Sequence, residues 1–193
     1  MIPTYIINLK ERTDRKQHII TELTKIPQLS YTIVKAIQDS TRTCFASHLK
    51  CIQLAKDNKL PFILILEDDC IFTSDCIDIL NTLVDELHQI NWDMIYLGAN
   101  LNAPAYSFSK SLVKLSGAYT THAYMVHERF YDTILNLTLD FEIDVCYSKL
   151  MANHNIYMCD PMIAYQLPSH SDLQDGFRDY NDAMFTNFKR FTV

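Results

Sequence analysis

Three consecutive acids, Glu67, Asp68 and Asp69, end a run of apolar residues in the stretch from Phe62 to Cys70, FILILEDDC. Adjacent carboxylates repel one another, so holding them together is costly unless a cation, a bound hydroxyl or solvent offsets the charge. The five residues before them are rich in Ile and Leu, which describes a buried strand whose end emerges into water. Side chains alternate along a strand, so Glu67 and Asp69 are expected on one side and Asp68 on the other. A strand leading into an acidic, solvated loop is the alternative reading.

The elements that must position these acids follow from periodicity. Thr4 to Asn8 is a short strand, followed by the charged turn LKERTDRK. Thr13 and Asp14 are placed to cap a helix with Ile19, Leu23 and Ile26 on one face, and Pro27 stops it. Tyr31 to Ile37 reads as a second strand, and Thr43 opens a helix with Phe45, Leu49 and Ile52 on its apolar face. After the FILIL strand, Ser74 opens a helix carrying Ile77, Leu80, Val84 and Leu87 as far as Ile90. Asp93 to Leu97 is a core strand ending at Gly98, and Asn100 to Lys110 has the composition of a surface loop. Strands over Leu112 to Leu115 and Tyr119 to Val126 precede helices over Glu128 to about Leu137 and Asp144 to Asn153. A last strand, Ile156 to Gln166, is broken by Pro161.

Strands alternating with helices in the first hundred residues imply an α/β fold with a mostly parallel sheet covered on both faces. Ligands of such sheets sit at the carboxyl ends of the strands, where the three acids, Asn8 and Gly98 all fall. The length of 193 residues suits a single domain, with a core over 2–173 and a C-terminal tail or helix over 174–193.

Composition removes several classes. The only glycines are Gly98, Gly117 and Gly176, so neither a dinucleotide fingerprint nor a P-loop is available to cradle phosphate. No G-x-S-x-G nucleophile elbow is present either. A domain without such loops can hold a diphosphate through a divalent cation carried on carboxylates. Net charge of -6 argues against a broad nucleic-acid footprint, leaving only a local basic patch around Lys10, Arg12, Arg15 and Lys16, and the expectation is no nucleic-acid partner. Six cysteines show no C-x-x-C pair and no zinc spacing, and no basic start with an apolar run follows at the N-terminus. The expectation is a cytoplasmic protein with reduced thiols, no signal peptide and no transmembrane segment; peripheral membrane association is compatible with it.

Several blocks, IINLKERTDRK, CFASHLKCIQLA, ILEDDC, IYLGA, AYMV and DPMIAYQLPSHSDL, occur here in an order that resembles glycosyltransferase family 25. That family includes bacterial lipooligosaccharide galactosyltransferases and collagen galactosyltransferase domains. The resemblance implies a single GT-A type domain, Rossmann-like, that transfers a hexose with inversion. The donor is a UDP-sugar, galactose or glucose being equally compatible, and the acceptor a hydroxyl of a glycan, glycolipid or protein. Mn²⁺ or Mg²⁺ is the implied cofactor, with Asp69 as first ligand, Glu67 assisting and His170 as a further ligand. Asn8, Leu9, Arg12 and Arg15 match the first block and imply contacts to uridine and phosphate. Ser47 implies a nucleotide contact, while His48 shares a helical face with Phe45 and Ile52 and reads as a core residue. Asp68 is implied as a supporting acceptor, with Gln166 and Asp172 lining the sugar pocket. Asp144 is the implied general base, with Glu142 behind it, although Asp144 also suits a helix N-cap. A degenerate sugar-nucleotide-binding member and a metal-dependent nucleotidyltransferase remain as alternatives. The aromatic tail, with Phe185, Phe188 and Phe191, suits a docking helix, a homodimer contact or simple packing.

Overall fold

A computed structural model of the chain describes residues 1–38, 43–138, 140–170 and 176–193, with the backbone alone described at Ser169, His170 and Arg178. The chain opens on β1 (Ile2–Asn8), whose residues alternate between buried and half-buried. It then passes through Arg12 into α1 (Thr13–Leu23). Thr13 is the first helical residue rather than its cap, and no side chain caps this end. Asp14 lies in the first turn instead, where a carboxylate meets the positive end of the helix dipole. There follow β2 (Leu29–Lys35), α2 (Thr43–Asp57), β3 (Phe62–Glu67), the short β4 (Cys70–Phe72), α3 (Cys76–Leu87) and β5 (Met94–Tyr96).

The expected loop over 100–110 contains two short strands, β6 (Asn100–Leu101) and β7 (Ala105–Ser107), before β8 (Leu112–Leu115). The single strand expected over 119–126 is two, β9 (Ala118–Tyr119) and β10 (Ala123–His127). Between them Thr120 has φ of 74°, a left-handed conformation that ends one ladder before the next begins. A 3₁₀ turn (Glu128–Phe130) leads into α4 (Tyr131–Leu135), and then come α5 (Ile143–Leu150), β11 (Ile156–Cys159) and β12 (Ala164–Gln166). The chain finishes with β13 (Ser169–His170), β14 (Phe177–Arg178) and α6 (Asn181–Phe191).

Eight strands form the central sheet in the order β2-β1-β3-β10-β5-β11-β8-β7. The pairs β1–β2, β1–β3 and β5–β11 are parallel. The pairs β3–β10, β10–β5, β11–β8 and β8–β7 are antiparallel. The sheet is therefore mixed, not mostly parallel. The reason lies between Asn100 and His127, where short strands follow one another without the crossover helix that a parallel neighbour requires. β10 consequently enters between β3 and β5 running the other way, with Ala123 paired to Leu66. That reversal sets the residues before β10 beside the carboxyl end of β3.

Both faces of the sheet are covered, which explains the continuous apolar run of β3. Ile63 and Ile65 join Tyr124, Val126, Met94 and Tyr96 in one core with Phe45, Ile52 and Tyr147. Leu64 and Leu66 join Ile95, Leu97 and Met125 in the other, with Ile19 and Leu23 of α1 and Leu80 and Leu83 of α3. Glu67 continues the phase of Ile63 and Ile65 and emerges on the α2 side, whereas Asp68 follows Leu66 toward α1. α6 lies on the first core through Met184, which is fully buried, and through Phe188 and Phe191. Phe185 of the same helix stacks on Tyr165 at 4.8 Å.

Candidate active site

The acids are held by three different parts of the fold. Strand β3 ends at Glu67, and Asp68 and Asp69 form the turn into β4. The expected partition of Glu67 and Asp69 on one side and Asp68 on the other does not survive this turn, because pleated alternation stops with the strand. Asn8, at the end of β1, donates from Nδ2 to Asp68 Oδ2 at 2.7 Å. Arg15 of α1 donates from one terminal nitrogen to Asp68 Oδ1 at 3.3 Å, and the same atom lies 3.4 Å from Asp69 Oδ2. All three of these charged side chains are at most 11% exposed, so the guanidinium works with little screening.

Glu67 faces another set of partners. Thr121 Oγ1 donates to its Oε1 at 2.7 Å, and His48 Nε2 of α2 lies 3.4 Å from the same oxygen. Next to Thr121, the backbone N–H of Thr120 donates to Asp144 Oδ2 at 3.4 Å, while the N–H of Val145 donates to Oδ1 at 2.8 Å. Thr120 and Thr121 thus join the first turn of α5 to the end of β3. Thr120 holds a positive φ that a β-branched residue adopts only at a cost, and such strain concentrates at functional sites.

The electrostatics follow from how closely these groups gather. Burial, and then the charge of Glu67, push the Asp69 carboxyl up to about 7 against the opposing pull of Arg15. Asp68 is raised chiefly by burial, with Asn8 and Arg15 opposing. Burial also works against ionisation of Glu67, but His48 and Thr121 outweigh it and its net shift is downward. The Cys44 thiol, at the start of α2, is pushed up by burial and then by Glu67, Asp144, Glu142 and Asp69. One thiol therefore senses acids from β3, its turn and α5 together.

The remaining expected residues fall at varied distances from this centre. Gln166 is brought to it: β12 pairs with β4 so that Gln166 faces Cys70, and the N–H of Leu167 donates to the Asp69 carbonyl at 2.7 Å. This approach explains Gly98, where a Cβ would lie 1.9 Å from the Ala164 carbonyl oxygen. Leu9 accepts the N–H of Arg12 through its carbonyl at 2.9 Å and shapes the turn after β1. Arg12 forks onto Asp14 at 2.9 Å, holding the helix start. Ser47 is buried, with its hydroxyl donating to the Thr43 carbonyl at 2.7 Å and accepting the Ile37 N–H at 2.9 Å. Its role on this geometry is to lock the start of α2 to the end of β2. Glu142 is exposed just before α5. His170 lies on β13 with its side chain outside the description, and Asp172 falls outside the described residues.

A hard divalent cation fits the donor set. Asp69 Oδ1 and Gln166 Oε1 are both buried without a hydrogen-bond partner among the described residues, and buried oxygens are rarely left so. Oxygen donors around clustered negative charge are what Mg²⁺ and Mn²⁺ take.

The sequence pattern of glycosyltransferase family 25 (LPS biosynthesis protein) matches residues 1–43 and 39–138, most of the chain, including Asn8, the three acids and the two threonines. The chain belongs to glycosyltransferase family 25. No curated protein sequence matches it. Among solved structures, A197 from STIV is similar at a TM-score of 0.59 and 13% identity, with 86% of each chain covered. A glycosyltransferase involved in the glycosylation of the major capsid of PBCV-1 is similar at 0.51 and 13%, covering 81% of this chain and 80% of that one. A UDP-glucose pyrophosphorylase complexed with UDP-glucose is similar at 0.50 and 10%, covering 98% of this chain and 81% of that one. At these identities the likeness is one of fold, the GT-A and nucleotidyltransferase type of α/β domain.

Within this family 25 chain, sequence reasoning missed Thr120, Thr121 and Cys44 as members of the site. For the two threonines nothing in YTTHA gives a signal, because their place depends on the reversed β10. Cys44 and His48 stand four apart in a helical stretch, which puts them on one face.

Proposed function

We propose that this protein is an inverting, metal-dependent hexosyltransferase that moves galactose or glucose from a UDP-sugar to a hydroxyl of a glycan, glycolipid or protein. The observation that carries this reading is the link of Thr120 and Thr121, which ties a helix-borne carboxylate, Asp144, to the acidic strand end. Family membership supports sugar transfer, and the same fold carries UDP-glucose in the pyrophosphorylase named above.

Asp69, with Glu67 and Gln166 beside it, would hold Mn²⁺ or Mg²⁺, and His170 is proposed as a further ligand. When bound there, the ion neutralises charge that develops on the departing diphosphate. Arg15 holds Asp68 and Asp69 together against their repulsion, so the acid turn keeps its shape. Asn8 fixes Asp68 and thereby joins the end of β1 to that turn. Asp144 takes the proton of the acceptor hydroxyl; its carboxylate is oriented by two backbone N–H groups, as a general base must be. Glu142, exposed beside it, supports the negative potential that draws the proton away. Leu9, Arg12 and Asp172 are proposed on the nucleotide and sugar side.

The deciding experiment incubates the protein with UDP-galactose, UDP-glucose and other nucleotide sugars, with Mn²⁺ or Mg²⁺, and measures released UDP with and without EDTA. Release from a UDP-hexose that EDTA abolishes is expected. No release from any donor, together with no thermal stabilisation by UDP and Mn²⁺, rejects the transferase. UDP stabilisation without turnover assigns a binding role instead.

A further inference from the structure

Beside the acids lies a group whose chemistry a hard cation does not use. Cys44 and His48 stand one turn apart on α2, facing Glu67, and one donor atom of each lies within 4.8 Å of the others. His48 is fully buried, and its Nε2 has no hydrogen-bond partner among the described residues although it lies 3.4 Å from Glu67 Oε1. A tetrahedral ion with bonds of about 2.0–2.3 Å holds its ligand atoms roughly 3.3–3.8 Å apart. The nitrogen and oxygen already stand at that separation.

We propose that Cys44, His48 and Glu67 form a second cation site, selective for a borderline-soft divalent ion of the zinc type. Sulfur, imidazole nitrogen and carboxylate together suit such an ion, whereas Mg²⁺ and Mn²⁺ favour oxygen. The supporting shell is in place. His48 Nδ1 is 2.7 Å from the Tyr124 hydroxyl, and Tyr124 is 3.3 Å from the Tyr147 hydroxyl. An ion on Nε2 puts the ring proton on Nδ1, which donates to Tyr124, whose own proton then goes to Tyr147. Thr121 donates to the same carboxylate oxygen that His48 faces and so fixes its direction. Binding forms a sulfur–metal bond as the Cys44 thiol releases its proton to solvent. Cys44 is only half-buried, which leaves the ion a route inward and a fourth position for water. Because Glu67 is shared, an ion here withdraws it from the neighbouring acids; that consequence rests on the function proposed above, while the site itself does not.

Co²⁺ is the probe, titrated into the intact protein and followed by optical absorption. An intense tetrahedral ligand-field spectrum with a sulfur-to-cobalt charge-transfer band is expected, and Zn²⁺ should displace it. Cys44→Ser should remove the charge-transfer band and weaken Co²⁺ on the order of a hundredfold, and Tyr124→Phe should weaken it by about tenfold. Circular dichroism of each variant confirms folding. Absence of the band in the unaltered protein, or its persistence in Cys44→Ser, overturns the proposal. Asp69→Asn separates the two sites: it should keep the cobalt–thiolate band while losing UDP binding with Mn²⁺. Loss of the band in a folded Asp69→Asn protein would also overturn a separate site.

Discussion

Replacing Asp69 by Asn removes the one acid whose ionisation the folded chain resists most plainly. Its Oδ1 is buried without a partner, Glu67 and Asp68 stand close, and Arg15 offsets part of the charge at 3.4 Å. The carboxyl is raised from 3.8 to about 7, so the native state holds a proton through a window where the unfolded chain has lost it. The native state then binds more protons, and the contribution of Asp69 to stability falls as pH rises from about 4 to 7 and stays low above that. About three pH units at 1.36 kcal/mol each set a ceiling of about 4 kcal/mol, and the side chain is only 11% exposed. The pull of Arg15 is already contained in that figure, and relaxation of the turn around a buried charge brings the realised cost below the ceiling. In EDTA at pH 8 the Asn variant should therefore be more stable than the unaltered protein by roughly 1–3 kcal/mol. For a chain of this size that is a rise in Tm of roughly 3–10 °C. Thermal melts at pH 5.5 and pH 8 provide the assay, with the difference between the proteins growing toward pH 8. Glu67 does not confuse the sign, since its lowered carboxyl contributes stability that is lost only as pH falls below about 4.5. Adding UDP and Mn²⁺ should invert the order by stabilising only the unaltered protein. An Asn variant that melts below it at pH 8 in EDTA refutes the charge crowding on which the site rests.

Asp144→Asn should leave thermal stabilisation by UDP and Mn²⁺ intact and lower transfer by roughly 10²–10⁴-fold, as judged by product formation; retained transfer rejects Asp144 as the base. Gly98→Ala brings a Cβ to 1.9 Å from the Ala164 carbonyl oxygen and must displace backbone, at a cost of about 3 kcal/mol measured by urea unfolding. An unchanged urea midpoint would show that β12 does not cross at this height. Met184→Ala empties a fully buried position under α6 and should cost roughly 2–5 kcal/mol, which an unchanged midpoint would contradict.

The strand end was legible because it rests on a local contrast of five apolar residues against three acids, but its emergence into water was not: Asp68 and Asp69 are buried, held by Asn8 and Arg15. The helices were legible for the same kind of reason, and α2 and α3 form within a few residues of the expected bounds. What could not be read was non-local. The direction of β10 follows from short strands that pair where space remains, and no residue between Ala123 and His127 encodes antiparallel pairing by its type. Arg15 matched the first block, and its contact with Asp68 and Asp69 was out of reach of the sequence, because it depends on α1 packing its first turn against the acid turn. The cysteines form no linear metal motif, although Cys44 and His48 need only helical spacing and a partner 19 residues beyond His48 in sequence.

Direction in the sheet also explains why the three acids differ. A parallel strand beside β3 would have placed its own carboxyl end next to Glu67 and carried the chain onward into a helix. The reversed β10 instead presents its amino end, so the residues just before it, Thr120 and Thr121, arrive at the acids with backbone and hydroxyl donors still available. His48 and Thr121 then lower the Glu67 carboxyl against its burial, whereas Asp69 is raised by burial and by the charge of Glu67, with no donor on Oδ1 to oppose them. Acids two residues apart are thus driven to opposite protonation tendencies by the donors that reach one and not the other. The acid left short of a donor is the one whose charge a cation would relieve most.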